Sequence, residues 1–249
     1  MRAPRRFAES DAQALWEHGG FPDLFVRRNP RLTRRWLSLR RQQLVREDIR
    51  DLTGVRELGQ LETLVDLLLE RSGDQLNYSS LASEVQVSVD TLRRWVDTLC
   101  GFHLGFLLRP WFRNVASSLR KEPKWFLCDW SGIADPGKRA ETFVACHLLK
   151  AVHGWTDLGL GEFQLGYLRD KKKREVDFVV VRDRKPWMLV EVKLSDEHLT
   201  PALPFFQEQL KAPHAFHVVM NAAFVDADCF SRQNGPLVVP AKTLLSQLL

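Results

Sequence analysis

The stretch REVDFVVVRDRKPWMLVEVKLSD, residues 174–196, holds two runs of β-branched and aliphatic side chains on either side of a polar segment, Asp183 to Pro186. Val and aromatic residues suit a pleated, half-buried surface, whereas Asp and Pro suit turns. The segment therefore reads as a hairpin, with strands at about Glu175–Val181 and Trp187–Lys193 and a turn from Asp183 to Pro186. Side chains on a strand alternate between its faces. On that rule Asp177, Val179 and Val181 share one face of the first strand. Leu189, Glu191 and Lys193 share one face of the second, with Met188, Val190 and Val192 on the other. Folding the hairpin sets Asp177 against Glu191 and Lys193.

Two carboxylates and an ammonium form a minimal set for hydrolysing a phosphodiester. Mg²⁺ or Mn²⁺ takes oxygen ligands and is often held by one or two carboxylates plus phosphate oxygens and water. A bound metal makes a water more acidic, and a neighbouring ammonium balances charge on the phosphate. Asp177 and Glu191 are the candidate metal ligands and Lys193 the candidate catalytic lysine. Glu141 heads an apolar helical stripe (Val144, Ala145, Leu148) and is a fourth candidate, since a carboxylate there is costly unless paired or metal-bound. The competing reading is structural: Glu-Val-Lys is common on solvated strands, where such a pair contributes about 0–1 kcal/mol.

Outward from the hairpin, a helix is expected at about Lys138–Val152 and a strand at Phe163–Arg169 before it. A helix at Pro201–Lys211 and a strand at His214–Met220 follow it. This αβββαβ order predicts helices on a mixed central sheet. Upstream, Leu61, Leu64, Val65 and Leu68 mark one apolar helix face. A short helix at Ser79–Val85, a tight turn, and a second helix capped by Ser88 and running to about Leu99 make a helix-turn-helix. Alternating Phe102, Leu104, Phe106 and Leu108, with Lys124–Leu127, supply the strands of a winged helix. Residues 8–56 read as helices broken at Gly19-Gly20-Phe21-Pro22, the second running from Pro30 to about Leu52. The expected organisation is α/β and multi-domain, divided at 1–56, 57–135 and 136–249.

The chain has 249 residues, 27% of them charged, and a net charge of +5. That balance suits a nucleic-acid partner. Arg27, Arg28, Arg31, Arg34, Arg35, Arg40, Arg41, Arg46 and Arg50 face only Glu47 and Asp48 in the same segment. Arg34 and Arg41 there, and Arg93 and Arg94 on the second helix of the helix-turn-helix, are the candidate DNA contacts; a solvated face or a surface for an acidic partner is the alternative. No apolar run approaches the ~20 residues of a membrane span. The N-terminus lacks the apolar core of a secretory signal, and Cys100, Cys128, Cys146 and Cys229 are irregularly spaced. A cytoplasmic protein with reduced thiols and no membrane partner is expected. His18, His103, His147, His153, His198, His214 and His217 show no metal-ligand spacing, and His147 reads as a core residue.

The order Glu141…Asp177…Glu191-Val192-Lys193 resembles the PD-(D/E)xK nuclease superfamily, with Val176 where the named motif has proline. That resemblance implies a restriction-endonuclease-like fold, metal on Asp177 and Glu191, and catalytic assistance from Lys193. A wider resemblance covers nearly the whole chain. It is carried by Gly19-Gly20-Phe21-Pro22-Asp23, Arg46-Glu47-Asp48-Ile49, Leu81-Ala82 through Thr91, Phe126-Leu127-Cys128-Asp129, Arg139-Ala140-Glu141-Thr142-Phe143-Val144 and Glu175-Val176-Asp177-Phe178. These are similar to the C-terminal half of a prokaryotic AAA-type ATPase family, which joins a winged helix to a nuclease-like domain. Residues 1–56 resemble the end of that ATPase's helical lid. No G-x-x-x-x-G-K-[ST] loop occurs, so no ATP site is expected in this chain. The chain then reads as a fragment, a truncated relative, or a subunit that works beside a separate ATPase through residues 1–56. The function expected is DNA-binding, metal-dependent phosphodiester hydrolysis. The alternative is a catalytically silent DNA-binding or adaptor module that partners an AAA-type ATPase.

Overall fold

The structure, a computed structural model, describes residues 1–49, 57–111, 122–196, 198–232 and 235–248. Two compact units divide the chain. The helical unit takes in Glu9–Leu107 and Glu122–Thr142. The sheet unit takes in Met1–Ala8, the described residues from Leu108, and Phe143–Leu249. Among the described residues no helix is long and apolar enough to cross a membrane.

In the helical unit, α1 (Glu9–His18) is followed by α2 (Pro22–Arg27) and α3 (Pro30–Gln43). Asn29 caps α3 by accepting from the amides of Arg31 and Leu32, and Pro30 fits the first turn because its missing N–H would have had no partner there. The chain continues as a π-helical turn over Leu44–Ile49 that buries Leu44, Val45 and Ile49. The expected end of this helix near Leu52 lies outside the described residues. The buried face of α4 (Leu58–Glu70) is the predicted Leu61, Leu64, Val65 and Leu68.

Helix α5 (Tyr78–Val85) ends at Gln86 in the left-handed conformation, φ 61°. Two residues later Ser88 caps α6 (Val89–Gly101) by accepting from Thr91 N. Leu92, Trp95, Val96 and Leu99 form the buried stripe of α6. The strand expected from Phe102 begins only at Gly105. His103 takes φ 57°, and the amide of Leu104 bonds back to Leu99 O at 3.0 Å, so the helix end consumes these residues. β1 (Gly105–Leu108) pairs with β2 (Lys124–Leu127) in a two-stranded sheet. Gly105 is required there, because a Cβ would stand 2.4 Å from Phe126 O.

Helix α7 (Pro136–Asp157) begins in the helical unit and ends in the sheet unit. The sheet has the order β3-β4-β5-β6-β7, from Phe163–Arg169, Glu175–Arg182, Lys185–Lys193, His214–Val219 and Leu237–Pro240. β3, β4 and β5 are antiparallel neighbours, while β6 and β7 add in parallel. This is the mixed α/β sheet that the element order predicts; β7 and the short α9 (Ala241–Leu245) lie beyond the sequence reading. Every residue of β6 is buried, as expected of a strand paired on both edges and covered on both faces. α8 (Ala202–Leu210) lays Leu203 and Phe206 on Val176, Val179, Val181 and Leu189. The first residues join this unit through Arg2 N, which donates to Gln247 O at 3.0 Å.

Candidate functional site

The β4–β5 hairpin turns on two residues, Asp183 and Arg184, at φ 49° and 65°. Two successive left-handed residues match the twist of the flanking strands. The turn is thus tighter than Asp183 to Pro186, and Lys185 and Pro186 already belong to β5. The register slips between Val180↔Met188 and Val181↔Pro186, leaving Trp187 as an extra residue. Such a bulge accommodates a proline, which has no N–H for the ladder.

A second bulge matters more. β3–β4 pairing slips between Gly166↔Val179 and Leu168↔Val176, so Asp177 and Phe178 together oppose Tyr167. The bulge breaks the alternation expected from the sequence. Val176, not Asp177, joins Val179 and Val181 in the cluster beneath α8. The carboxylate of Asp177 still reaches the neighbouring strand, where its Oδ2 accepts from Val192 N at 2.8 Å.

The register Phe178↔Val190 sets Asp177 level with Glu191 at the end of β5. Glu191 is only 4% exposed. A buried carboxylate needs compensation, and both of its oxygens have it. Lys193 Nζ lies 3.1 Å from Oε1, and the Thr200 hydroxyl donates to Oε2 at 2.5 Å. The Lys193 side chain keeps 37% of its surface in solvent, so the site opens to water at the ammonium.

His217, passed over in the sequence because it has no metal-like spacing, sits on β6 in register with Glu191. It is fully buried. Its Nε2 donates to Asp196 O at 2.7 Å, and Nδ1 has no hydrogen-bond partner among the described residues. Only the parallel β5–β6 pairing reveals it. Thr200, which no local pattern marks, is revealed by its hydroxyl bond to Glu191 from the segment that follows β5.

Among the described residues no group of three or more His, Cys, Asp or Glu side chains is arranged to hold a metal ion. Asp177 and Glu191 together offer an all-oxygen pair, which suits a hard divalent cation whose remaining ligands are water and phosphate. Glu141 belongs to the helical unit, where its Oε2 lies against Gly73: a Cβ on that glycine (φ +87°) would stand 3.2 Å from it.

Of the candidate DNA contacts, Arg34, Arg93 and Arg94 are exposed, with Arg93 lying over the Tyr78 ring at 5.1 Å. Arg41 is half-exposed and ion-paired to Asp66. Arg27, Arg28 and Arg46 pair with Asp23, Asp11 and Glu62, and Arg40 lies over Phe21 and Trp36. The arginine-rich segment is therefore less available to phosphates than its composition suggests.

Several of the quoted motifs meet as packing. Gly19 (φ +80°) leaves room for Asp129, whose Oδ1 would lie 2.4 Å from a Cβ there, and Trp130 Nε1 donates to Leu15 O at 3.0 Å. Arg139 Nη2 donates to Trp16 O at 2.5 Å. Burial pushes the Asp129 carboxyl above the usual aspartate range against the opposing bonds from Ser131.

A model for a domain of unknown function, DUF8612, matches residues 9–134, just over half of the chain. A second, for the domain of unknown function DUF4143, matches residues 136–243. Two curated relatives, uncharacterised proteins of Mycobacterium bovis and Mycobacterium tuberculosis, are each 28% identical over 126 residues. The match covers 50% of this chain but only 28% of either relative's length. No solved structure matches.

Proposed function

The chain belongs to the DUF8612 family, and from that premise we propose that it is a DNA-binding protein whose DUF4143 region is a PD-(D/E)xK-type, metal-dependent phosphodiesterase domain. One observation carries the reading: Asp177 and Glu191 stand level on adjacent antiparallel strands, with Lys193 beside Glu191, at one end of a mixed β3-β4-β5-β6-β7 sheet. In this reading the fold is restriction-endonuclease-like. The α5–α6 pair with the β1–β2 sheet is a winged helix-turn-helix, and Arg93 and Arg94 on α6 meet DNA phosphates.

Asp177 and Glu191 would hold Mg²⁺ or Mn²⁺, which when bound supplies a more acidic water and neutralises phosphate charge. The protein's own part is positioning. Val192 N–H fixes the Asp177 carboxylate and Thr200 fixes Glu191, so neither has to be ordered when substrate arrives. Lys193 moves from Glu191 Oε1 to a phosphate oxygen and balances the charge that develops there.

A second reading is favoured by the pairing itself. Glu191 already has both oxygens engaged within the protein, and no three-donor group is present among the described residues. On that reading the domain is a silent scaffold, and the chain is a DNA-binding adaptor for an AAA-type ATPase, the class of protein with which DUF4143 is associated. Mg²⁺- or Mn²⁺-dependent cleavage of single- and double-stranded DNA, wild type beside Asp177→Ala, separates the two. Cleavage lost in the variant supports the enzyme. Retained DNA binding without cleavage by either protein supports the adaptor.

A further inference from the structure

The β3–β4 connection, Asp170-Lys171-Lys172-Lys173-Arg174, lies at the end of β4 that carries Asp177. β5 runs antiparallel to β4 and ends at Lys193, so Lys193 lies at that same end. The turn is braced. Asp170 Oδ1 accepts from Lys172 N at 2.8 Å and Arg174 N at 3.0 Å, and Oδ2 accepts from Arg174 Nε at 2.7 Å. Arg174 lies over the Phe205 ring at 3.5 Å, and Arg169 pairs with Glu175 at 3.1 Å. The flanking charges thus neutralise one another and tie the turn to the sheet. Lys171, Lys172 and Lys173 are left exposed, with no ion pair to an acid among the described residues.

We propose that Lys171, Lys172 and Lys173 form the phosphate-binding contact that seats a nucleic-acid strand over Asp177, Glu191 and Lys193. The inference rests on the DNA reading above and gives it a location. Several like charges on one turn are unfavourable to each other, and a polyanion relieves that repulsion. Phosphate contacts position a backbone without reading its sequence, which suits a turn whose exposed cations are all lysines. The Asp170 bonds fix the backbone before the strand arrives, so less freedom is lost on binding.

The test is binding of short labelled single- and double-stranded oligonucleotides to the full chain in EDTA, where no metal-dependent cleavage can occur. The variant is Lys171→Gln/Lys172→Gln/Lys173→Gln. Its control is Arg184→Gln/Lys185→Gln/Lys211→Gln, which removes the same charge from the opposite end of the sheet. Three phosphate contacts make affinity fall about 40-fold between roughly 50 and 200 mM salt. The lysine-turn variant should lose that part of the salt dependence, and the control should keep it. Equal loss in both variants would assign the effect to bulk charge and overturn the proposal, as would no loss in either. A wild type that binds neither oligonucleotide would instead remove the DNA reading itself, and the proposal with it.

Discussion

Removing the Lys193 cation should cost more stability than removing the charge it neutralises. Glu191 is 4% exposed, and its oxygens are held by Lys193 at 3.1 Å and Thr200 at 2.5 Å. Taking one partner from a fully buried ion pair costs about 3–5 kcal/mol. Lys193 retains 37% of its side-chain exposure, so water already screens part of the attraction, and Lys193→Met should cost about 1–2 kcal/mol. Glu191→Gln keeps an acceptor for the Thr200 hydroxyl and leaves no buried carboxylate charge to compensate; its cost should stay below about 1 kcal/mol. The double variant should be about as stable as Glu191→Gln alone, a coupling of about 1–2 kcal/mol, equal to the cost of Lys193→Met. Urea unfolding followed by tryptophan fluorescence on the wild type and the three variants measures all of these. Lys193→Met as stable as wild type would refute the argument. So would a Glu191→Gln loss as large as that of Lys193→Met, because the asymmetry depends on which charge is buried.

Other perturbations reach different parts of the molecule. Asp177→Ala should abolish metal-dependent DNA cleavage while leaving the circular dichroism spectrum unchanged, and cleavage at the wild-type rate would remove Asp177 from the site. Ser88→Ala deletes the cap on α6 and should cost about 1 kcal/mol, seen as faster amide exchange in its first turn; unaltered exchange would contradict the capping role. Gly105→Ala forces a Cβ to within 2.4 Å of Phe126 O and the Trp125 ring, so a thermal melt matching wild type would show that the β1–β2 packing is wrong. Burial raises the Cys128 thiol to about 11. It stays neutral below that pH, so alkylation near pH 8 should be about 100-fold slower than at an unperturbed cysteine and should rise with pH. Rapid labelling of Cys128 at neutral pH, located by mass spectrometry, would contradict its burial.

Local chemistry told its own part of the structure correctly. The strand over Phe163–Arg169, the start of β4 at Glu175, the end of β5 at Lys193 and the Ser88 cap of α6 were all legible, because each depends on residues a few positions apart. Alternation, turn residues and capping hydroxyls act over that range. The neighbourhood of Asp177 and Glu191 was legible for a related reason: a hairpin joins its two strands through a turn that the sequence also specifies.

What composition suggested about charge was less dependable. Arg27, Arg28, Arg41 and Arg46 read as available cations, yet each has an acid beside it, and Asp11, Glu62 and Asp66 come from other helices. As sequence, the run Lys171–Lys173 is an ordinary charge run with no partner or site to mark it. It acquires meaning from lying at the same sheet end as Asp177 and Lys193.

By itself, then, the sequence determined the periodic elements, their order as helices on a mixed sheet, and the pair of strands that carries Asp177, Glu191 and Lys193. Tertiary structure alone decided the rest of the candidate site. The bulge at Asp177 and Phe178 exists because β3 pairs with β4 in a slipped register, and it places Val176 rather than Asp177 against α8. His217 stands beside Glu191 only because β6 docks in parallel after an intervening helix. Thr200 reaches Glu191 only after the chain leaves β5. The physical reason is one of range: hydrogen-bonded turns and side-chain alternation are settled between near neighbours. Register across a crossover, and compensation of a buried charge, are settled by whichever groups the packed core brings into contact.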